Sequence, residues 1–189
     1  MSPTAKVTRR GADRIRAGHP WIYQSDVTRV DAASGDLVRV LGDHARPIGW
    51  AYYSSTSLIT LRMLTSESGD VDDGALIRSR LAAARAYRDS LGIAGSVWRL
   101  VNAEADHLPG MVIDRYGDGT NVYFVVQTLS QGADRRRQIL VDWVKKVRWA
   151  RDEAEIEFRV PLSGRGVNRQ SEAPEIADYL LLTTKVKVA

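Results

Sequence analysis

The 189-residue sequence contains no cysteine. That absence excludes disulfides, thiolate zinc centres and cysteine nucleophiles together. No stretch approaches the ~18 uninterrupted apolar residues that a membrane-spanning helix requires. Met1 to Arg10 is charged and has no apolar core of the kind a secretory signal carries. Cytoplasmic residence without a membrane partner is the expectation. A glycine-rich phosphate loop is missing as well. Gly164-Arg-Gly166 is only a GxG, Arg169 stands where a third glycine would sit, and no strong strand precedes it.

What is present fits a folded protein with a core. Hydrophobic residues make up 44% of the chain and charged residues 26%. The length accommodates one ordinary domain or two small ones. The formal charge of +4 is unevenly distributed. Lys6, Arg9, Arg10, Arg14, Arg16 and Arg29 face only Asp13 and Asp26 in the first thirty residues. Arg135, Arg136, Arg137, Lys145, Lys146, Arg148 and Arg151 form a second basic segment against Asp134 and Asp142. The remainder of the chain is net negative. Two basic segments on an otherwise acidic chain are compatible with a polyanionic partner.

Three parts follow from the patterning. Residues 1–65 read as mostly β. Trp21-Ile-Tyr23, Leu37 to Leu41, Ile48 to Tyr53 and Leu58 to Leu64 are short apolar runs separated by Ser34-Gly35-Asp36 and Gly42-Asp43. Strands at this spacing predict a small barrel. A short helix is expected from Arg9 to Ala17, closed by Gly18 before Pro20. Residues 68–147 read as an α+β unit. Ile77, Leu81, Ala84, Tyr87 and Leu91 step with helical period, with Asp72 or Asp73 as the cap and Gly92 as the stop. A second helix carries Ile139, Leu140, Trp143, Val144 and Val147 on one face, with Ser130 as its cap. Residues 148–189 show little regular pattern and are expected to be loosely attached or partly disordered.

Between the helices runs Arg99 to Gly117, read as strand, polar loop, turn and strand. Pro109-Gly110 has the composition of a type II turn. Glu104, Asp106, His107 and Asp114 are suitable metal ligands or acid–base groups by chemistry. Their placement on one short loop and its following strand is ordinary turn chemistry, and Asp106 suits a turn cap.

Gly18-His-Pro-Trp-Ile-Tyr23, Gly35-Asp-Leu-Val-Arg-Val40, Ser54 through Leu64, and Arg99 through Gly117 occur in order and at fitting spacing. As a set they resemble the PUA-containing, S-adenosylmethionine-dependent methyltransferases that act on cytosine C5 of large-subunit ribosomal RNA. The resemblance covers roughly residues 5–147. It implies an α+β chain: an N-terminal PUA-like pseudobarrel that binds RNA, then a small α+β linker domain. The glycine-rich cofactor loop, acidic ribose ligand and cysteine-bearing loops of that family have no counterpart after Val147. C5 methylation ordinarily uses a thiolate on C6, so no methyl transfer and no cofactor are expected of this chain. S-adenosylmethionine belongs to the full-length family.

The partner implied is ribosomal RNA. Arg9, Arg10, Arg14 and Arg16 are the candidate phosphate contacts, with His19 and Trp21 placed to stack on an unpaired base. For Trp21 a core position is the favoured alternative. Arg135 and Arg136 open a helix, where cations oppose the helix dipole, and an RNA phosphate or Asp134 would offset the misfit. Other readings are a targeting subunit working with a separate catalytic methyltransferase domain, or an inactive truncated fragment whose apolar surface drives self-association.

Overall fold

The computed structural model describes residues 2–117, 122–146, 153–161 and 179–187, the last two as backbone strands only. The Gly164-Arg-Gly166 motif, Trp149, and the Asp118-Gly119 turn lie outside the described residues. Among those described, no helix is long and apolar enough to cross a membrane.

The first unit is a curled six-stranded sheet. It comprises β1 (Thr4–Val7), β2 (Trp21–Tyr23), β3 (Val27–Asp31), β4 (Leu37–Leu41), β5 (Pro47–Tyr53) and β6 (Ile59–Thr65), in the order β2-β6-β5-β4-β1-β3. Helix α1 (Arg9–Arg16) follows β1. Alternation along β4 buries Val38 and Val40, which join Ala5, Val7, Ala12, Ile15, Ile22, Ala51 and Leu61 in one core. Strands β1 and β3 were not anticipated from the sequence. Thr4–Val7 is short, and Val27–Asp31 carries Arg29 and Asp31. Pairing fixes both, since β1 runs antiparallel to β3 and parallel to β4. Such long-range ladders override weak local propensity.

The second unit contains α2 (Asp73–Ser90), β7 (Val97–Asn102), β8 (Met111–Tyr116), β9 (Val122–Thr128), α3 (Gln131–Arg135), α4 (Arg137–Lys146), β10 (Glu153–Pro161) and β11 (Tyr179–Lys187). Its strands are ordered β11-β10-β9-β8-β7. Strand β10 lies parallel to β9, which requires a crossover, and α3 with α4 supplies it. The sequence assigned no element to 148–189, yet β10 and β11 continue this sheet. Pairing with β9 gives β10 a template that local pattern does not reveal.

Helix α2 begins as expected, with the Asp72 carboxylate accepting from Ala75 N–H at 2.9 Å. Ile77, Leu81 and Ala84 are buried, while Tyr87 and Leu91 extend past the core and are exposed. The single helix expected after Ser130 is broken in two at Arg136, whose φ of −102° and ψ of 4° leave the helical region. Gly110 has φ of 72°, the left-handed position that the Pro109-Gly110 turn demands.

The second core is not confined to the second unit. Tyr52 and Leu64 of the first sheet are buried with Ile77, Leu81, Leu100, Met111, Phe124, Ala133 and Leu140. Gly132 makes this approach feasible: a Cβ there would lie 2.3 Å from the Tyr52 Cβ.

Candidate nucleic-acid interface

Helix α1 is placed by its caps. The Thr8 hydroxyl accepts from Gly11 N–H at 3.1 Å and donates to Asp26 at 2.9 Å. At the other end the His19 N–H donates to the Arg14 carbonyl at 3.0 Å, across Gly18 at φ of 86°. Gly11, Ala12 and Ile15 face the core, so the arginines are turned outward by the helix period. Arg14 and Arg16 lie in the last turn, where cations favour the helix dipole.

The four arginines are not equivalent. Arg9 and Arg16 share Asp13, at 3.9 and 2.8 Å, and all three side chains are more than half exposed. Surface pairs of this kind contribute little and are readily exchanged for another anion. Arg10 has a structural partner. Its Nε donates to the buried Asp26 carboxylate at 2.7 Å, although its own side chain remains 67% exposed. The hydrogen bond from Arg10, together with one from Thr8, holds Asp26 below the usual carboxylate range against the opposing push of burial. Arg14 forms no salt bridge among the described residues. Its guanidinium lies over the Tyr23 ring, 5.0 Å from the centroid.

His19 and Trp21 are tied into the same edge. The Trp21 N–H donates to His19 Nδ1 at 3.2 Å, and the Arg14 guanidinium lies 3.4 Å from His19 Nε2. Trp21 is neither a core plug nor a free stacking platform. Its indole N–H donates to Glu104 of the second unit at 2.8 Å, and the Arg62 guanidinium sits 5.5 Å from its ring centroid. Arg62 also donates to Glu104, at 2.9 Å.

Arg135 and Arg136 point elsewhere. Arg135 pairs with Asp36 of the first unit. Arg136 donates to Asp73 at 2.7 Å and to the Gly35 carbonyl, and its guanidinium caps the Tyr52 ring at 4.5 Å. With a side chain only 14% exposed, Arg136 is enclosed in the contact between the two units. Asp36 and Asp73 therefore give both arginines a counter-charge within the protein, where an RNA phosphate or Asp134 was expected to offset it.

The carboxylate loop resolves the same way. Glu104 is held by Arg62 and Trp21, Asp106 by Arg88 in a two-point pair and by Asn102 N–H at 2.6 Å, and Asp114 by Arg99 at 2.8 Å. Ala103 and His107 bracket the turn with φ of 47° and 56°. Among the described residues no cluster of ligating side chains is arranged for a metal.

Two cations of the first basic segment are brought together by the sheet. Lys6 of β1 stands directly across from Arg29 of β3. Like charges facing each other across a ladder destabilise it, and an external anion relieves that. Only the strand register reveals this pair.

A PUA-like domain followed by an α+β domain is therefore the class the architecture defines, and residues 5–66 match the PUA-like domain family. The chain is homologous to ribosomal RNA large subunit methyltransferase I. That protein from Aliivibrio fischeri (strain MJ11) is 35% identical over 140 residues, 70% of this chain and 34% of the relative. Its Yersinia pseudotuberculosis (serotype O:1b, strain IP 31758) counterpart is 37% identical over 129 residues, 65% of this chain and 31% of the relative. The chain thus spans about a third of the length of the curated relatives it matches. Among solved structures, a protein described as a SAM-dependent methyltransferase from Streptococcus mutans matches with a TM-score of 0.66 at 16% identity. The match covers 82% of this chain and 40% of that one. Another, described as a methyltransferase complexed with SAH, gives 0.67 at 18%, covering 98% of this chain and 48% of that one. At these identities the structures establish fold alone.

The parallel crossover from β9 to α3 offers no open glycine at its helix start. The glycine nearest that start, Gly132, is packed against Tyr52. Ser130 caps the helix itself through Ala133 N–H at 3.2 Å.

Proposed function

We propose that this chain binds ribosomal RNA through the outer face of α1 and the adjoining end of β2, positioning large-subunit RNA for modification at cytosine C5. The observation that carries this reading is Arg14: a cation held over Tyr23 without a carboxylate partner among the described residues, beside Arg9 and Arg16, which share one exposed Asp13. Phosphates entering here displace weak surface pairs and add no buried charge. His19 lies beside the Arg14 guanidinium, and Arg10 contributes from a side chain anchored by Asp26. Trp21 acts as a positioning residue that sets β2 against the second unit through Glu104.

Methyl transfer is not assigned to these residues. The sequence offers no thiolate for attack on cytosine C6. The PUA-like match and the homology to a ribosomal RNA methyltransferase support RNA as the partner.

The test is fluorescence anisotropy of fragments of large-subunit ribosomal RNA across a salt series. The expected result is salt-sensitive binding that prefers one structured fragment and weakens when Arg9, Arg14 and Arg16 are changed together to Glu. Arg10 is left intact, because its loss would unpair Asp26 and confuse binding with folding. Unchanged affinity and salt slope in the triple variant would refute the interface.

A further inference from the structure

Immediately beside α1 lies an open hollow of about 470 Å³, lined by Tyr23, Gln24, Ser25 and Leu58. Its walls are fixed to each other, since Gln24 N–H donates to the Leu58 carbonyl at 2.9 Å. Leu58 is 76% exposed at the loop between β5 and β6. The two arginines of the interface stand at the rim. Arg14 lies over the Tyr23 ring, and Arg10 donates to the Ser25 hydroxyl at 3.3 Å. None of the four lining residues is acidic, and the nearby Asp26 is buried and paired.

We propose that this hollow receives an unpaired nucleobase of the bound RNA. The proposal rests on the RNA-binding reading of α1. The base lies against the Tyr23 ring and Leu58, the Gln24 amide and Ser25 hydroxyl meet its polar edge or the ribose 2′-hydroxyl, and Arg14 and Arg10 take the flanking phosphates. Cations at the rim and apolar surface within suit a nucleotide, which has a charged backbone and an uncharged ring. An apolar peptide segment would leave the Arg14 guanidinium unanswered. The amide of Gln24 donates and accepts, so the site favours a base without restricting it to one edge pattern.

The experiment compares two single-stranded oligoribonucleotides of equal length and charge, one carrying uracil at every position and one abasic throughout. Binding of each is measured with the wild-type chain, Leu58→Ser and Tyr23→Leu. The wild type is expected to prefer the base-bearing strand about 10-fold, and both variants to lose that preference. The salt slope of Leu58→Ser is expected to match the wild type, because the arginines still meet the phosphates. Leu58→Ser alters an exposed side chain, so it keeps the test decisive if Tyr23→Leu perturbs β2. Equal binding of the two strands by the wild type, or a full preference retained in Leu58→Ser, would overturn the hollow as a base site while leaving the arginine interface standing. No binding of either strand by the wild type would overturn both.

Discussion

The arginines of α1 and those at the junction of α3 and α4 carry similar charge on short helices, yet their surroundings differ. Arg14 rests on Tyr23 with its charge unanswered by a salt bridge among the described residues, whereas Arg136 is enclosed by Asp73, Gly35 and Tyr52. One cluster keeps exposed side chains on weak surface pairs, and the other joins two halves of the molecule. A basic run therefore identifies a nucleic-acid surface only when the fold leaves its counter-charge outside. The first-unit groups that answer Arg135 and Arg136, Asp36 and the Gly35 carbonyl, lie about a hundred positions earlier in the chain.

The contrast is broken most severely at Gly132. Gly132→Ala forces a methyl group to 2.3 Å from the Tyr52 Cβ and should destabilise the chain by about 1–3 kcal/mol or more, read from urea midpoints. A midpoint equal to that of the wild type would show that the helix has room to shift. Arg136→Ala removes the partner of Asp73 and uncovers Tyr52, with an expected cost of about 1–3 kcal/mol. Its RNA salt slope should stay at the wild-type value; a reduced slope would place Arg136 at the RNA after all.

Asp26 sharpens the comparison within α1 itself. Its carboxyl is held below the ordinary range, so its charge stabilises the fold above the unfolded carboxylate value, and that contribution is lost as pH falls through the lowered folded value. Asp26→Asn should cost about 1–3 kcal/mol at pH 7, with the gap to the wild type closing in acid. A gap independent of pH would mean that the ion pair with Arg10 is not its source. The smallest stability effect is expected at Arg14→Ala, roughly 0.5–1 kcal/mol for removing the cation from the face of Tyr23. There the binding readout should respond instead, with the salt slope falling by about 0.7–0.9 for each RNA phosphate left without its cation.

Elements with their own periodicity were legible in the sequence. Alternation in Leu37–Leu41, helical steps from Ile77 to Ala84, and the turn signals at Gly18 and Pro109-Gly110 all depend on neighbours a few residues away. What escaped depends on distant partners. Strands β1, β3, β10 and β11 are defined by the ladders they join, and the helix after Ser130 breaks at Arg136, whose side chain reaches the first unit. The α1 arginines were proposed from charge density. The different duties of Arg10 and Arg14 were not, because the difference lies in Asp26 and Tyr23. Leu58 carried no signal, since an apolar residue in a β-rich stretch reads as core.

Tyr52 and Leu64 belong to the first sheet but fill the centre of the second core. Neither half can complete its packing alone, which makes the boundary between them a seam of sequence rather than of energy. Thermal melting should therefore proceed as one cooperative transition. A protease cut in the exposed stretch at residues 66–70 would leave two pieces that remain associated, because each supplies surface that the other needs kept from water.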